Sequence, residues 1–248
     1  MELSFAPATA PPPVDMARTS LFLDFDGTLV DLVDRPDDVT VSPDLAALLE
    51  TLTSRFERRL AVVSGRSIAQ LGNFLGALAE RLALVGSHGA EIKIPGARVS
   101  APAVPPALRD AKQFFARAFE GREGVLIEVK TLGVAVHYRL DPSAQADAER
   151  LTQEFASAHG LEVQKGKMMV EVRTAGHDKG TGIAALMSTP PLRGSVPVFL
   201  GDDLTDEAGF RQCAAMDGFG VLVGEPRPTA AQYYIPTVAA VHEWLASL

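Results

Sequence analysis

A single cysteine, Cys213, occurs among the 248 residues, which excludes an intrachain disulfide and any cysteine-rich zinc site. Its buried-helix surroundings beside Phe210 read as core, and a chain so poor in thiols suits a reducing, cytoplasmic compartment. There is no run of about 18 consecutive apolar residues, the length a membrane-spanning helix requires. Basic charge is not in excess either. The formal net charge is -8, with 23 Lys and Arg against 31 Asp and Glu, whereas a sequence-independent nucleic-acid binder needs the opposite balance. A small anion remains an acceptable ligand, because local positive groups attract it even on an acidic protein. The start of the chain lacks the basic residues and apolar stretch of a secretory signal. With Pro11, Pro12 and Pro13 in it, residues 1–18 are expected to form a disordered tail.

What is present is an ordinary globular composition, 47% hydrophobic and 22% charged, enough for one large domain or two modest ones. Leu21-Phe22-Leu23 is a short apolar run that stops abruptly at Asp24, as a buried parallel strand ending at a site would. Ser42, Pro43 and Asp44 form a helix start, with Leu45, Leu48, Leu49, Leu52 and Phe56 following at helical spacing. Leu60 to Val63 predicts a second strand ending at Ser64. Ser67 predicts a cap for a helix carrying Ile68, Leu71, Phe74 and Leu75, and Leu82 to Val85 a third strand. This alternation predicts a parallel α/β sheet with ligands beyond the strand C-termini.

The rhythm breaks after Pro95, where Gly96, Pro102, Pro105 and Pro106 punctuate a linker. A helix with Leu108, Phe114, Phe115 and Phe119 precedes a hairpin, Val125 to Lys130 and Val134 to Arg139. A second helix from about Ser143 to His159 precedes another, Glu162 to Gln164 and Met168 to Val172, turning at Lys165-Gly166-Lys167. The expectation is a small α+β domain at 103–175, inserted between core segments 19–102 and 176–248. The parallel rhythm then resumes with Lys179 opening a helix, Val196 to Leu200 a strand, Thr205 capping a helix, and Phe219 to Val223 a strand. Val238, Val241, Trp244 and Leu245 make a closing core stripe.

Strand ends and a helix start thus deliver Asp24, Asp26, Ser64, Lys179, Asp202 and Asp203 to one region. Two carboxylates two residues apart can divide the work, Asp24 attacking phosphorus and Asp26 exchanging protons with the leaving oxygen and with water. An anionic nucleophile approaching a phosphate needs cations, which calls for Mg²⁺ on hard oxygens and a fixed ammonium. Asp24, Asp202 and the Asp26 carbonyl are candidate metal ligands, with Asp203 beside them, and Lys179 is the candidate ammonium. A calcium loop starting at Asp24 is excluded, since its sixth and twelfth positions hold Leu29 and Arg35 instead of Gly and Glu. Gly218-Phe219-Gly220 with Gly224 has the wrong spacing for a dinucleotide loop and reads as turn glycines.

Asp24-Phe25-Asp26-Gly27-Thr28, Ser64, Lys179 and Gly201-Asp202-Asp203-Leu204-Thr205-Asp206 resemble, in order, the four motifs of the haloacid dehalogenase superfamily. Further segments narrow the resemblance: Ser64-Gly65-Arg66, Gly86 to Ile92, Glu128-Val129-Lys130, Val136 to Arg139, Lys167 to Glu171 and Gly201 to Glu207 are similar to trehalose-6-phosphate phosphatases over Leu21 to Leu245. That resemblance implies a Rossmann-like core, a mobile α/β cap closing over the site, Mg²⁺, and a sugar-phosphate substrate. It implies catalytic roles for Asp24, Asp26, Ser64 and Lys179. It also implies substrate contacts from Thr28, Arg66, Glu128, Lys130, Arg139, Lys167 and Glu171, with His88 on the core side of the cleft, and a functional partnership with a trehalose-phosphate synthase. By residue pattern alone, the charges at 128, 130, 139, 167 and 171 fit a solvated sheet face equally well. The chain departs from the family where Arg173 is followed by Thr174 instead of proline. Phosphatases of sucrose or mannosylglycerate phosphate, and a catalytically silent sugar-phosphate sensor, remain alternatives.

Overall fold

Leu21 and Leu23 point to one side of the first strand, β1 (Thr19–Asp24), and Phe22 to the other, and all three are fully buried. A strand buried on both faces belongs in the middle of a sheet covered by two helical layers. In this computed structural model, which describes residues 9–248, that is its position. The chain continues through α1 (Pro43–Arg55), β2 (Leu60–Val63), α2 (Ile68–Leu75), β3 (Ala83–Gly86) and β4 (Glu91–Lys93). Next come α3 (Ala107–Ala118), β5 (Leu126–Val129), β6 (Gly133–His137), α4 (Gln145–His159), β7 (Glu162–Gly166) and β8 (Met169–Arg173). The last stretch holds α5 (Lys179–Met187), β9 (Val196–Gly201), α6 (Glu207–Ala215), β10 (Phe219–Val223), β11 (Tyr233–Ile235) and α7 (Val238–Ser247).

Two compact units result, one of Pro102–His177 and one of the residues up to Ala101 and from Asp178 to Leu248. The larger carries a seven-stranded sheet in the order β11-β10-β9-β1-β2-β3-β4, parallel except for the β3–β4 pair. Leu21, Leu23, Val62, Leu84, Leu200 and Val223 face α1, α2 and α7, while Phe22, Val63, Val85, Phe199 and Leu222 face α5 and α6. Cys213 lies in that second layer, fully buried, and burial pushes its thiol pKa up. Trp244 packs against the first. The local signals act as anticipated at two helix starts. Ser42 accepts from Leu45 N, and Ser67 and Gln70 form a reciprocal capping box.

The structure departs from the sequence expectation at three places. Residues 1–8 of the expected tail lie outside the described residues, but from Thr9 the chain is tied down. Thr9 O accepts from Tyr234 N, Met16 O accepts from Arg59 Nη2, and Val14 and Met16 pack on the core. Thr205 caps no helix: Asp203 caps the short turn Leu204–Asp206 leading into α6. The last hairpin turns later than anticipated, with β7 reaching Gly166 and the turn falling at Lys167 and Met168, the latter at φ 60°.

The smaller unit has a four-stranded antiparallel sheet, β5-β6-β8-β7. Val134, Val136, Val170 and Val172 bury one face against α3 and α4, with Phe115 and Phe155 between them. Period-two alternation sends Glu128, Ala135, Glu171 and Gln164, which are opposite one another in register, to the other face.

Candidate active site

Asp24, the last residue of β1, is buried at the C-terminal edge of the parallel sheet. The chain leaves through Gly27 at φ +82°, where an added Cβ would stand 2.3 Å from Asp202 Oδ2. Only glycine lets the loops after β1 and β9 come that close. Lys179, first residue of α5, is placed by Asp178, whose side chain accepts from Thr181 N. Its buried Nζ donates to Asp24 Oδ1 at 2.8 Å and to Asp206 Oδ1 at 2.6 Å. Asp206 Oδ2 in turn accepts from Asp203 N at 2.9 Å.

These groups carry more negative than positive charge away from water. Burial first, then the neighbouring Asp206 and Asp202, raise the Asp24 pKa well above the usual carboxylate range, against the pull of Lys179. Asp206 is raised as well, again by burial, with Lys179 opposing. Burial works to lower the Lys179 pKa, but Asp206 and Asp24 outweigh it and the ammonium is held protonated.

Asp24, Asp202 and Asp206 offer oxygen atoms that all lie within 4.8 Å of one another. Hard carboxylate oxygens of net negative charge suit Mg²⁺, Mn²⁺ or Ca²⁺ rather than a thiophilic metal, so the residues fit the ion anticipated from the sequence. Asp203 does not join this trio, because its carboxylate caps the Leu204–Asp206 turn by accepting from Leu204 N. Asp206 takes the inward place. It was not among the anticipated site residues, although it lies in the same acidic run.

The side chain of Asp26 is held by Arg66 through two hydrogen bonds, Nε to Oδ2 and Nη2 to Oδ1, each 2.7 Å. Arg66 also donates to Pro36 O at 3.0 Å and stacks 4.8 Å from the Phe74 ring centre. Its anticipated sugar-facing role therefore competes with this commitment to Asp26. Ser64 Oγ accepts from Arg66 N at 3.1 Å, which leaves its O–H to donate. Thr28 is fully buried, and its Oγ1 has no hydrogen-bond partner among the described residues. His88 sits at φ 53° with its ring over Gly65, where a Cβ would come within 2.4 Å of Cε1. The buried carboxylate of Glu91 secures that bend, accepting from Ser87 Oγ at 2.8 Å and Ile68 N at 3.0 Å.

In the smaller unit two of the anticipated residues, Lys130 and Glu171, form an ion pair, and Glu128 is hydrogen-bonded to His137. Lys130 Nζ donates to Glu171 Oε2 at 2.6 Å, with both side chains almost fully buried, and Glu128 lies 2.7 Å from His137 Nε2. Gly133, opposite Arg173 in register, leaves the room that the Glu171 carboxylate occupies. Arg139 lies beyond the end of β6 and donates to the carbonyl of Lys167, whose side chain is exposed at the β7–β8 turn. A solvated face of paired charges does not describe the Lys130–Glu171 pair.

A mostly parallel sheet with Asp24 ending β1, Asp26 just beyond it, Ser64 after β2, Lys179 at a helix start and an acidic loop after β9 is the fold of a solved phosphatase from Bacteroides thetaiotaomicron described among those of the haloalkanoate (HAD) enzyme superfamily, with a TM-score of 0.62 at 17% identity over 97% of this chain and 98% of that one. The family profile described as trehalose-phosphatase matches residues 22–237, and the chain belongs to that family. A relative from Sinorhizobium fredii, described as "Probable trehalose-phosphate phosphatase", is 37% identical over 237 residues, covering 94% of this chain and 89% of its own. The trehalose-6-phosphate phosphatase of Escherichia coli is 35% identical over 236 residues, covering 92% and 86%. A crystal structure of a trehalose-6-phosphate phosphatase related protein superposes with a TM-score of 0.75 at 27% identity, over 92% of this chain and 95% of that one.

Proposed function

We propose that this chain hydrolyses trehalose 6-phosphate to trehalose and inorganic phosphate through a phosphorylated Asp24. The observation that carries the reading is the Asp24–Lys179–Asp206 triad, an anionic nucleophile buried at a strand end with an ammonium fixed on it. Names of relatives at 35–37% identity support the substrate.

A carboxylate oxygen of Asp24 attacks phosphorus, forming an O–P bond as the bond from phosphorus to the sugar oxygen breaks. Asp26 gives that oxygen a proton. The Asp26 carboxylate then takes a proton from water as the water oxygen attacks phosphorus, the Asp24 O–P bond breaks, and phosphate leaves. Lys179 neutralises the nucleophile's approach, and the hydroxyls of Ser64 and Thr28 donate to phosphoryl oxygens. Mg²⁺ bound by Asp24, Asp202 and Asp206, with the Asp26 carbonyl beside them, would supply charge neutralisation at the phosphate. Glu128, Lys130, Arg139, Lys167 and Glu171 would hold the sugar hydroxyls by charge-assisted hydrogen bonds, with Arg66 and His88 serving the same ligand. The smaller unit would act as the cap. The setting would be cytoplasmic, with a trehalose-phosphate synthase as the source of substrate.

A phosphate-release panel in Mg²⁺ tests this. The expected result is the highest kcat/KM on trehalose 6-phosphate. A higher value on sucrose phosphate or mannosylglycerate phosphate overturns the specificity, and tight binding without turnover of any of them overturns the enzyme.

A further inference from the structure

Arg227 lies in the loop between β10 and β11 and has no part in the chemistry above. Its guanidinium nevertheless reaches back to the acidic loop after β9. Nη2 donates to Asp203 O at 2.6 Å, and Nε and Nη2 each lie 3.4 Å from Asp202 O. Nη1 donates to its neighbour's carbonyl, Pro228 O, at 3.2 Å and ion-pairs with Glu207. Glu207, itself buried, is held in place by Thr229 Oγ1 at 2.8 Å and Ala230 N at 2.7 Å.

The peptide joining Asp202 to Asp203 is thus gripped at both ends. Its carbonyl faces Arg227, and its N–H donates to Asp206 Oδ2. Fixing a peptide plane fixes the direction in which the Cα–Cβ bond of Asp202 leaves the backbone. Asp202 is one of three carboxylates whose oxygens converge. The turn Leu204–Asp206 that follows exposes Leu204 at its tip and buries Asp206.

We propose that Arg227, aimed by Glu207, is a positioning residue that holds Asp202 for a divalent cation. The fork geometry is needed. A guanidinium spreads five N–H donors in one plane and spans two successive carbonyls and a carboxylate, whereas an ammonium concentrates its donors at one atom. Groups that orient a metal ligand without touching the metal are worth about 10- to 100-fold in metal affinity or activity when removed.

The inference rests on the metal reading given above, and the test separates the two. Mg²⁺ alone is titrated by calorimetry into the full-length protein and into Arg227→Ala and Arg227→Lys. Arg227→Lys keeps a cation for buried Glu207, which guards against a loss due only to misfolding. The expected result is Mg²⁺ binding by the wild type, about 10- to 100-fold weaker in both variants, with KM for the sugar phosphate within about twofold and the deficit in kcat regained at high Mg²⁺. Mg²⁺ affinity of Arg227→Lys equal to that of a wild type that binds would overturn the positioning role alone. A wild type that does not bind Mg²⁺ overturns both readings.

Discussion

Arg66 grips Asp26 by both carboxylate oxygens, at 2.7 Å each, while its own face lies on Phe74. Two parallel bonds hold the carboxylate against rotation, so in the proposed mechanism Arg66 would set the plane in which Asp26 meets a leaving oxygen. General acid–base groups are worth typically about 10²- to 10⁴-fold. Arg66→Ala should lose part of that, about 10-fold or more in kcat on a sugar phosphate, whose alkoxide needs a proton to leave. An aryl phosphate with a good leaving group should lose less. Equal losses on both esters would assign Arg66 to the phosphate or to folding.

Lys179 contacts both buried carboxylates, Asp24 and Asp206, through its ammonium. Deleting one partner of a buried ionic cluster costs about 3–5 kcal/mol, because the remaining charge stays desolvated. Lys179→Ala should unfold at markedly lower denaturant concentration in the ion-free state, and Mg²⁺ should recover part of the loss. A denaturation midpoint like that of the wild type would show that the two carboxylates simply take up protons.

The raised pKa of Asp24, caused by burial and then by Asp206, has a signed consequence. An acid whose pKa is higher folded than unfolded contributes stability that is fully present below the unfolded value, about 4, and is lost as pH rises through the folded value. Ion-free wild type should therefore lose stability relative to Asp24→Asn as pH climbs from about 4 toward neutrality. Chemical denaturation of the pair across that range measures the difference, and a flat line contradicts it. By the same linkage, Mg²⁺ binding should release protons and weaken as pH falls.

Much of this arrangement is legible in the amino-acid order because it is local. Ser42-Pro43 and Ser67 announce their helices, and the apolar run Leu21-Phe22-Leu23 stopping at Asp24 announces a buried strand ending at a site. Strands β4 and β11, three residues each, have too few residues to display a period. The acidic run at 202–206 could not be sorted by spacing. Which carboxylate points inward depends on Asp203 being claimed by the turn and Asp206 by Lys179, a contact 27 positions away in sequence. Arg66 and Asp26 are separated by 40 positions, and nothing in either local segment signals their pairing.

In the smaller unit, Glu171 is paired with Lys130 and both side chains are nearly inaccessible, while Glu128 pairs with His137. Glu128→Ala should raise KM or lower kcat for trehalose 6-phosphate and spare a small artificial ester. The same loss on both substrates would count against sugar binding by this face.

The proposed hydrolysis depends on a covalent bond between Asp24 and phosphorus. The direct measurement is acid quenching during turnover of trehalose 6-phosphate, borohydride reduction, and mass spectrometry of the tryptic peptide from Thr19 to Arg55, which contains both Asp24 and Asp26. Reduction converts an acyl phosphate to an alcohol, so Asp24 should be recovered in part as homoserine, only when substrate and Mg²⁺ are both present. Homoserine at Asp26 in place of Asp24, or at no carboxylate despite measured phosphate release, would contradict the account.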